Sequence, residues 1–360
     1  MNSLSSVATE QTVIDNATVL VGRELEPRRV AVAIEDELIA AVGRDAGARR
    51  LAPRVDAAGL LLMPGFIDAH VHIGLALPSD VLRHGVTTVR DLAWPPETIF
   101  ELSRTSQDRS FDGPEILAAG PMLTVQNGYP TRAVWAPART GRAVASPDDA
   151  ETAVAETADA GARAIKFALN PEVGPVLDLR TLERIVGAAH ERGLKTTGHV
   201  AGLEELDKAL DAGADELAHM LMSAQTIPAE TIDRMVGARM AVVPTLSIRR
   251  GRDLDIAKDN LRRFRAAGGT VVYGTDLGNE GPAPGIDRTE IAAMADAGFS
   301  ARDVIASATV VASEWLGLQD RGAIETGLLA DLCAVPEEAL EDPALLADVR
   351  MVWRRGRRIV

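Results

Sequence analysis

The sequence is poor in cysteine, and it contains none of the segments that carry a chain into or across a membrane. Cys333 is the single cysteine among 360 residues, so no internal disulfide can form and nothing indicates an oxidising compartment. The first residues, MNSLSSVATEQ, have neither the basic start nor the apolar core of a signal peptide. No run approaches the roughly 18 uncharged apolar residues of a membrane span. These absences predict a cytoplasmic protein.

Basic residues are outnumbered by acidic ones, which bears on the partners that the protein can have. There are 52 Asp and Glu against 38 Lys and Arg, giving a formal net charge of −14. Such a charge disfavours the phosphates of nucleic acids and the headgroups of anionic membranes. We therefore expect a small-molecule substrate, and neither nucleic acid nor membrane as a partner. The oligomeric state stays open, a homo-oligomer included.

Two kinds of pattern divide the chain. From about 11 to 62, short apolar runs alternate with turns without a helical stripe between them, which is typical of strands. From Pro64 onward, short apolar segments alternate with amphipathic stretches, as in repeated βα units. Eight segments resemble buried strands: GFIDAHVHI, VTTVRDL, EILAAG, AIKFAL, KTTGHV, ELAHM, AVVPTL and VVYGTDL. Eight βα units in sequence predict an α/β fold with a (β/α)8 TIM barrel.

Helical patterns fill the intervals between these segments. One helix is predicted to begin at Thr181 and end at Gly193, and a single last helix is predicted over ARDVIASATVVASEWLGL. After it, strand patterns return in LLADLCAV and VRMVWRRGRRIV. A strand-rich start and end predict a small β-module built from both termini. The predicted domains are this module, 1–63 plus 320–360, and the barrel, 64–319.

Histidine is scarce, and most histidines end predicted strands. Four of the six do so. Residues two apart in a strand share a side, so His70 and His72 of PGFIDAHVH both face the barrel interior at its mouth. Such a pair predicts a transition-metal site, with zinc preferred, unless one of the two is an ordinary core histidine. His84 and His190 lie near predicted helix ends, where cations are common.

One of only four lysines interrupts an apolar strand. Lys166 lies in AIKFAL, where an unpaired cation is costly to bury. A lysine whose pKa is depressed by burial can react as a free amine. A carbamate formed with carbon dioxide would be a carboxylate able to bridge two metal ions. The alternative is a lysine that extends to the strand end and pairs with an acid.

Three further ligand-type residues end later strands. His199 in KTTGHV and His219 in DELAHM would hold a second metal, although His219 could instead be a histidine bonded to a carbonyl. Asp276 in GTD can bind the first metal, take a proton from water and deliver it to a leaving group. The alternative for Asp276 is a helix N-cap, but the following LGNEGP resembles a loop.

Loops at the mouth are expected to set specificity. The stretch QNGYPTRAVWAP offers Tyr129, Arg132 and Trp135, and Arg90 lies near the end of VTTVRDL. Arg90 could bind a substrate carboxylate in bidentate fashion, and Tyr129 could donate to a developing oxyanion. The alternatives are a structural pair of Arg90 with Asp91 or another acid, and loop packing for Trp135.

Six segments resemble, in order along the chain, the signatures of the amidohydrolase superfamily, binuclear type with a carboxylated lysine. They are PGFIDAHVH, GVTTVRDL, GPEILAAGPMLT, GHVAG, GTD and RGAIETGLLADLCAV. The similarity is greatest to the imidazolonepropionase-like and prolidase-like branch. It implies a (β/α)8 barrel beside a β-sandwich formed by both termini. It also implies six residues that hold two divalent ions, most suitably Zn²⁺: His70, His72 and Asp276 for the more buried ion, His199 and His219 for the more exposed one, and carboxylated Lys166 for both.

The resemblance implies a metal-bridging hydroxide that attacks an amide-type C–N bond, with Asp276 as proton shuttle. The substrate would be a dipeptide, an N-acyl amino acid or a cyclic amide. Alternatives are ester, lactone or phosphotriester hydrolysis at the same site, a deaminase, and a scaffold barrel without catalysis. A deaminase is disfavoured because Val-Ala-Gly follows His199, where ring deaminases carry a Glu. Phe-Ala-Leu-Asn-Pro follows Lys166, unlike the glycine-rich segment of many prolidase-like members.

Overall fold

The computed structural model describes residues 10–360, which form two terminal β-sheets and a barrel between them. The predicted module's residues 1–9 lie outside the described residues. The described strands are β1 (Gln11–Asp15), β2 (Thr18–Val21), β3 (Glu26–Arg29), β4 (Val32–Glu35), β5 (Leu38–Val42), β6 (Arg54–Asp56), β7 (Leu60–Pro64), β8 (Phe66–Val71), β9 (Val86–Asp91), β10 (Glu115–Ala118), β11 (Met122–Thr124), β12 (Gly141–Ala143), β13 (Ile165–Leu169), β14 (Thr196–Val200), β15 (Glu216–Leu217), β16 (Ala241–Val242), β17 (Leu332–Pro336), β18 (Met351–Arg354) and β19 (Arg357–Arg358).

The two terminal sheets pack face to face as a β-sandwich. One has the strand order β5-β4-β1-β6, and the other has the order β19-β18-β17-β7-β2-β3. Side chains of both sheets form one apolar cluster, which includes Ile14, Val32 and Ile39 from the first sheet and Val19, Leu62, Leu332 and Trp353 from the second. Strand β7 joins the two ends of the chain, because it pairs in parallel with β2 and antiparallel with β17. The predicted sandwich built from both termini is confirmed.

The middle of the chain forms the predicted parallel barrel. Strands β8, β9 and β10 pair in parallel, as do β11, β13, β14, β15 and β16. A hydrogen bond of 2.8 Å from Arg163 N to Ala118 O connects the two groups. The third predicted segment is therefore longer than EILAAG, since it continues past Gly120 into β11.

The eighth segment, VVYGTDL, closes the barrel without forming a regular strand. Ala69 N donates to Tyr273 O at 3.0 Å on one side, and Val272 N donates to Val242 O at 2.9 Å on the other. Gly274 lies so near the first strand that a Cβ on it would approach the backbone nitrogen of His70 to 3.0 Å. This close approach interrupts the ladder of backbone hydrogen bonds, but the segment still lies between β8 and β16.

Helix α1 (Arg44–Gly47) packs against the first terminal sheet. The other described helices surround the barrel, and their bounds are α2 (Pro78–Arg83), α3 (Pro96–Thr105), α4 (Pro147–Asp159), α5 (Leu179–Glu191), α6 (Leu203–Asp211), α7 (Ala229–Gly237), α8 (Gly251–Ala266), α9 (Arg288–Asp296), α10 (Ala301–Ala308) and α11 (Val310–Trp315). Short 3-10 turns occur at Ile73–Leu75, Leu246–Ile248, Glu337–Leu340 and Pro343–Ala347. No helix among residues 10–360 combines the length and apolarity that crossing a membrane requires.

Two predicted helix bounds are wrong. Helix α5 begins at Leu179 rather than Thr181, because the Asp178 carboxylate accepts the backbone N–H of Thr181 at 2.7 Å and caps the helix. The predicted last helix is divided into α10 and α11 at Thr309, whose φ of −131° and ψ of −91° are not helical. Cys333, in β17, is buried as expected.

Candidate metal centre

His70, His72 and Asp276 meet at the mouth of the barrel. Nδ1 of His70 lies 2.7 Å from Ala218 O, and Nδ1 of His72 lies 3.2 Å from Ala93 O. A carbonyl accepts only, so each Nδ1 carries its proton and each Nε2 presents a lone pair. The two Nε2 atoms lie 3.2 and 3.3 Å from the same oxygen, Asp276 Oδ1.

These three atoms fit a cation. Asp276 Oδ1 is buried and has no hydrogen-bond donor among residues 10–360, an arrangement that needs an explanation such as an ion. Around a zinc ion bound tetrahedrally at about 2.05 Å, neighbouring donor atoms lie about 3.4 Å apart. The separations of 3.2 and 3.3 Å are close to that value. Neutral imidazole and carboxylate are also ligands that zinc prefers.

A buried carboxylate fixes the backbone beneath these ligands. Asp68 Oδ1 accepts the N–H groups of His70 at 3.0 Å and Thr275 at 3.1 Å, and its Oδ2 accepts the Thr275 hydroxyl at 2.7 Å. Asp276 N donates directly to His70 O at 2.7 Å. The first and last barrel segments are therefore held together where the ligands leave the backbone.

Lys166 extends from β13 into the same cavity. Its Nζ is buried and has no hydrogen-bond partner among the described residues. Burial lowers its pKa to about 7, against the opposing charges of Asp276 and Glu216. No carboxylate of residues 10–360 lies within ion-pair distance of it, so the geometry gives no support to a lysine paired with an acid. At neutral pH much of this amine is unprotonated and reactive.

His199 and His219 form a second group beside Lys166. His199 Nδ1 lies 3.1 Å from His219 Nε2, and His219 Nδ1 lies 2.9 Å from the hydroxyl of Thr245 rather than from a carbonyl. His199 Nε2 contacts the side-chain amide of Asn170 at 3.2 Å. The Asn170 atom at this distance is Nδ2, and its Oδ1 accepts from Glu172 N. With this amide orientation the two rings share a hydrogen bond. If the amide is turned by 180°, its oxygen can accept from His199 Nε2, and both rings then direct lone pairs at a shared cation.

The electrostatic setting keeps most of the imidazoles neutral. Burial is the largest cause that lowers the pKa of His70, His199 and His219 below the usual value. For His72 burial opposes protonation, but the neighbouring carboxylate of Asp276 raises its pKa overall. Neutral imidazole is the form that binds metal, so the set suits cation binding.

Two predicted mouth residues pack against the candidate ligand histidines. The Tyr129 ring stacks on His199 with 4.5 Å between centroids, and the Trp135 ring lies 4.7 Å from that of His72. Trp135 Nε1 donates to the Tyr129 hydroxyl at 3.2 Å. Burial, followed by the charge of Asp276, raises the pKa of Tyr129, so its hydroxyl keeps its proton.

The predicted substrate role of Arg90 does not agree with its position. Arg90 is 2% exposed, and its Nη2 donates to Glu216 Oε1 at 2.5 Å while its Nε donates to Ala69 O at 2.8 Å. Glu216 also accepts from Thr197 Oγ1 at 2.6 Å and Trp315 Nε1 at 2.5 Å. Arg90 is thus paired inside the barrel, with an acid other than its neighbouring aspartate.

Arg132 and the two remaining histidines lie outside the site. Arg132 is exposed and does not line the cavity. His84 follows helix α2 and its Nδ1 lies 2.7 Å from Asp80 O, while His190 in α5 lies 2.9 Å from Asp215. Both histidines occupy the ordinary helix-end positions expected of them.

The cavity above these ligands has a volume of about 250 Å³. Its lining comprises the six predicted ligands, four apolar or aromatic side chains and two residues of the loop after the eighth segment: His70, His72, Lys166, His199, His219, Asp276, Met122, Tyr129, Met222, Ile248, Asn279 and Glu280. Sequence reasoning missed Asp68, Asn170 and Thr245, although each is a polar residue in or next to a predicted strand. It also missed Glu280, which has no local signature.

The sequence and the fold of this chain are similar to those of known proteins. The sequence model of the amidohydrolase family matches residues 61–359. An uncharacterised protein of Mycobacterium tuberculosis is 27% identical over 335 residues, covering 82% of this chain and 84% of that protein. The solved structure of a Xaa-Pro dipeptidase with bound methionine has a TM-score of 0.82 at 23% identity, covering 97% of this chain and 99% of its own. A putative prolidase from Bifidobacterium longum has a TM-score of 0.81 at 25% identity, covering 97% and 94%.

Proposed function

Because this chain belongs to the amidohydrolase family, and is a metal-dependent hydrolase of carbon–nitrogen bonds, we propose that it cleaves an amide-type bond with Asp276 as proton shuttle. One observation carries the proposal. The buried Asp276 Oδ1, without a hydrogen-bond donor among residues 10–360, lies 3.2 and 3.3 Å from the Nε2 atoms of His70 and His72. A cation between the three atoms satisfies all of them.

Six residues would hold two divalent ions, for which zinc suits the donor set. They are His70, His72 and Asp276 for one ion, His199 and His219 for the other, and Lys166 as a carbamate for both. The unpartnered Nζ of Lys166 and its pKa of about 7 support the carbamate, since only the neutral amine adds carbon dioxide. A carbamate would also provide the negative charge that this buried position lacks in the lysine form.

Bound divalent ions would act as Lewis acids toward the scissile carbonyl and lower the pKa of the attacking water toward about 7. Asp276 then accepts the proton of that water and transfers it to the nitrogen that leaves as the C–N bond breaks. The Tyr129 hydroxyl, which stays protonated and accepts from Trp135, can donate to the carbonyl oxygen as it gains charge. The His72 ring is held in place by Trp135.

Water attack on an amide agrees better with the lining than ring deamination does. Asp276 and Glu280 are the carboxylates of the cavity lining, and neither follows His199, where a deaminase would place the acid that protonates a ring nitrogen. The B. longum relative is described as a putative prolidase, which supports an amide bond. Hydrolysis of an ester without measurable hydrolysis of the matched amide would contradict this assignment.

The first test measures metal content. We expect protein purified without chelator to contain about two zinc equivalents, and Lys166→Ala to contain at most one, because the bridging ligand is lost. Lys258→Ala is the matched control: its amine pairs with Asp296 on the outer helices, so metal content should stay unchanged. One equivalent in both wild type and Lys166→Ala would contradict the bridged pair.

A second test separates binding from catalysis. Asp276→Asn keeps the shape of the side chain but removes the base, so the kcat for an amide substrate should fall by about 10²–10⁴. The Asn oxygen can still bind metal, so metal content should change less than activity. Retention of near wild-type kcat in a metal-loaded Asp276→Asn variant would exclude the shuttle.

A further inference from the structure

Beyond the predicted ligands, the cavity lining carries one charged side chain. Of the six remaining lining residues, Met122, Met222 and Ile248 are apolar, and Tyr129 and Asn279 are neutral. The sixth is Glu280, which is exposed at the mouth. No cation of residues 10–360 lies within 4 Å of its carboxylate. A substrate bound here meets a negative charge and no positive one apart from the metal centre.

The arginines closest to the site are engaged elsewhere. Arg90 pairs with Glu216 inside the barrel. Arg249 is buried and donates to Asp253 at 2.9 and 3.1 Å. Arg250 is exposed and packs beside Gly281, with its Nη1 donating to backbone oxygens of the preceding turn at 2.6 and 2.7 Å. None of the three lines the cavity.

The loop that carries Glu280 is fixed by close backbone approaches on both sides. Gly278 has φ +113°, and a Cβ on it would lie 2.9 Å from His72 O. Gly281 has φ +129°, and a Cβ on it would lie 2.6 Å from Ser247 O. Between them, Asn279 N donates to Asp276 O at 3.2 Å. Glu280 is therefore presented by a short segment tied to a metal ligand.

We propose that the substrate is an amide that carries a protonated amine and no carboxylate, with Glu280 binding the amine. This inference rests on the proposed amide hydrolysis. The apolar part of the substrate packs against Met122, Met222 and Ile248. An anion-bearing substrate, such as an N-acyl amino acid, would lack a cationic partner in the lining and would face Glu280. The net charge of −14 also favours the approach of a cation.

Three leucine derivatives test the charge preference. They are L-leucinamide, which is cationic, N-acetyl-L-leucinamide, which is neutral, and N-succinyl-L-leucinamide, which is anionic, with ammonia release as the assay on zinc-loaded protein. We expect kcat/KM to decrease in that order. Glu280→Gln should lower kcat/KM for leucinamide roughly fivefold more than for the acetyl derivative, as expected for one partly exposed ion pair. Glu280→Lys should make the succinyl derivative the best substrate.

Two controls separate the local charge from other effects. Glu183 is exposed on α5 and away from the cavity, so Glu183→Gln makes the same change in net charge and should leave the order and ratios unchanged. Arg250→Gln tests the alternative that a cation at the mouth, rather than Glu280, selects the substrate. If the succinyl derivative is preferred by the wild type and that preference is lost in Arg250→Gln, a cation at the mouth selects the substrate and the proposal is wrong.

A binding measurement keeps this inference separate from the proposed function. Calorimetry on the zinc-loaded protein compares 3-methylbutylamine with the neutral 3-methylbutanol. Tighter binding of the amine, lost in Glu280→Gln but not in Glu183→Gln, supports the amine site whether or not any amide is hydrolysed. Hydrolysis of the amides with equal binding of amine and alcohol would retain the proposed function and overturn the role of Glu280.

Discussion

Replacing Arg90 by methionine should destabilise the barrel without a specific effect on substrate affinity. The arginine is 2% exposed and supplies the only countercharge that Glu216 has within ion-pair distance among the described residues. Methionine fills a similar volume but donates no hydrogen bond. Glu216 would keep its bonds from Thr197 and Trp315, and Ala69 O would lose its donor. The variant therefore leaves a buried charge without its partner.

The cost of that charge sets the expected size of the effect. Removing one member of a buried ion pair destabilises by about 3–5 kcal/mol. With a urea m value of about 3 kcal/mol/M, the unfolding midpoint should fall by roughly 1–1.7 M. Arg90→Met/Glu216→Gln should recover at least half of the loss, because the amide of Gln is neutral. Thr197 and Trp315 contact different oxygens of Glu216, so the amide oxygen can accept from Trp315 Nε1 while the amide NH2 donates to the Thr197 hydroxyl.

The assay is urea unfolding of wild type, the Arg90→Met variant and the double variant, alongside KM for the three leucine derivatives. We expect the midpoints to order as wild type, double variant, single variant, with KM ratios among the derivatives unchanged. An unaltered midpoint together with a raised KM confined to the succinyl derivative would refute this reasoning. That result would mean that Arg90 reaches a substrate carboxylate.

Three further outcomes are expected. Burial raises the pKa of Glu290 from 4.5 to about 8, so the folded state keeps this proton to a higher pH than the unfolded state does. The free energy of unfolding therefore declines as the pH rises through that interval. Glu290→Gln should make this decline shallower in urea midpoints measured across the interval, without abolishing it, because burial also raises the pKa values of Asp68 and Asp91. Gly278→Ala should weaken zinc binding about tenfold, measured by competition with a chelator, because the new Cβ displaces the loop at His72. Gly187→Ala is the control and should leave zinc binding unchanged, because the space around its Cβ is open. Tyr129→Phe should lower kcat by about 10²–10³ with metal content unchanged.

The convergence of the six candidate ligands on one cavity could be predicted from the sequence because each of these residues has a local signal. A histidine or lysine within an apolar strand is conspicuous, and the two-residue spacing of His70 and His72 directs both side chains to one side of β8. Their convergence with Asp276 follows once the strands close into a barrel. In the structure the Nε2 atoms of His70 and His72 lie 3.2 and 3.3 Å from Asp276 Oδ1.

Features that depend on distant partners could not be predicted in this way. The partner of Arg90 is Glu216, which is 126 positions away in the sequence, and nothing local distinguishes an inward arginine that is paired from one that is free to bind substrate. The start of α5 was misplaced because Asp178 competes with Thr181 as a cap, and both residue types are good caps. Glu280 lies in a loop, where an acid usually faces solvent alone.

The position of strand β7 has a consequence for how the protein is made. Leu60–Pro64 pairs with β2 on one edge and with Leu332–Pro336 on the other, and the ribosome completes that second partner only after the whole barrel. Until then an apolar strand directly ahead of β8 has an open edge, the kind of surface on which nascent chains misassociate. Truncated translation products that stop before β17 are therefore expected to depend on chaperones, even when every metal ligand is present.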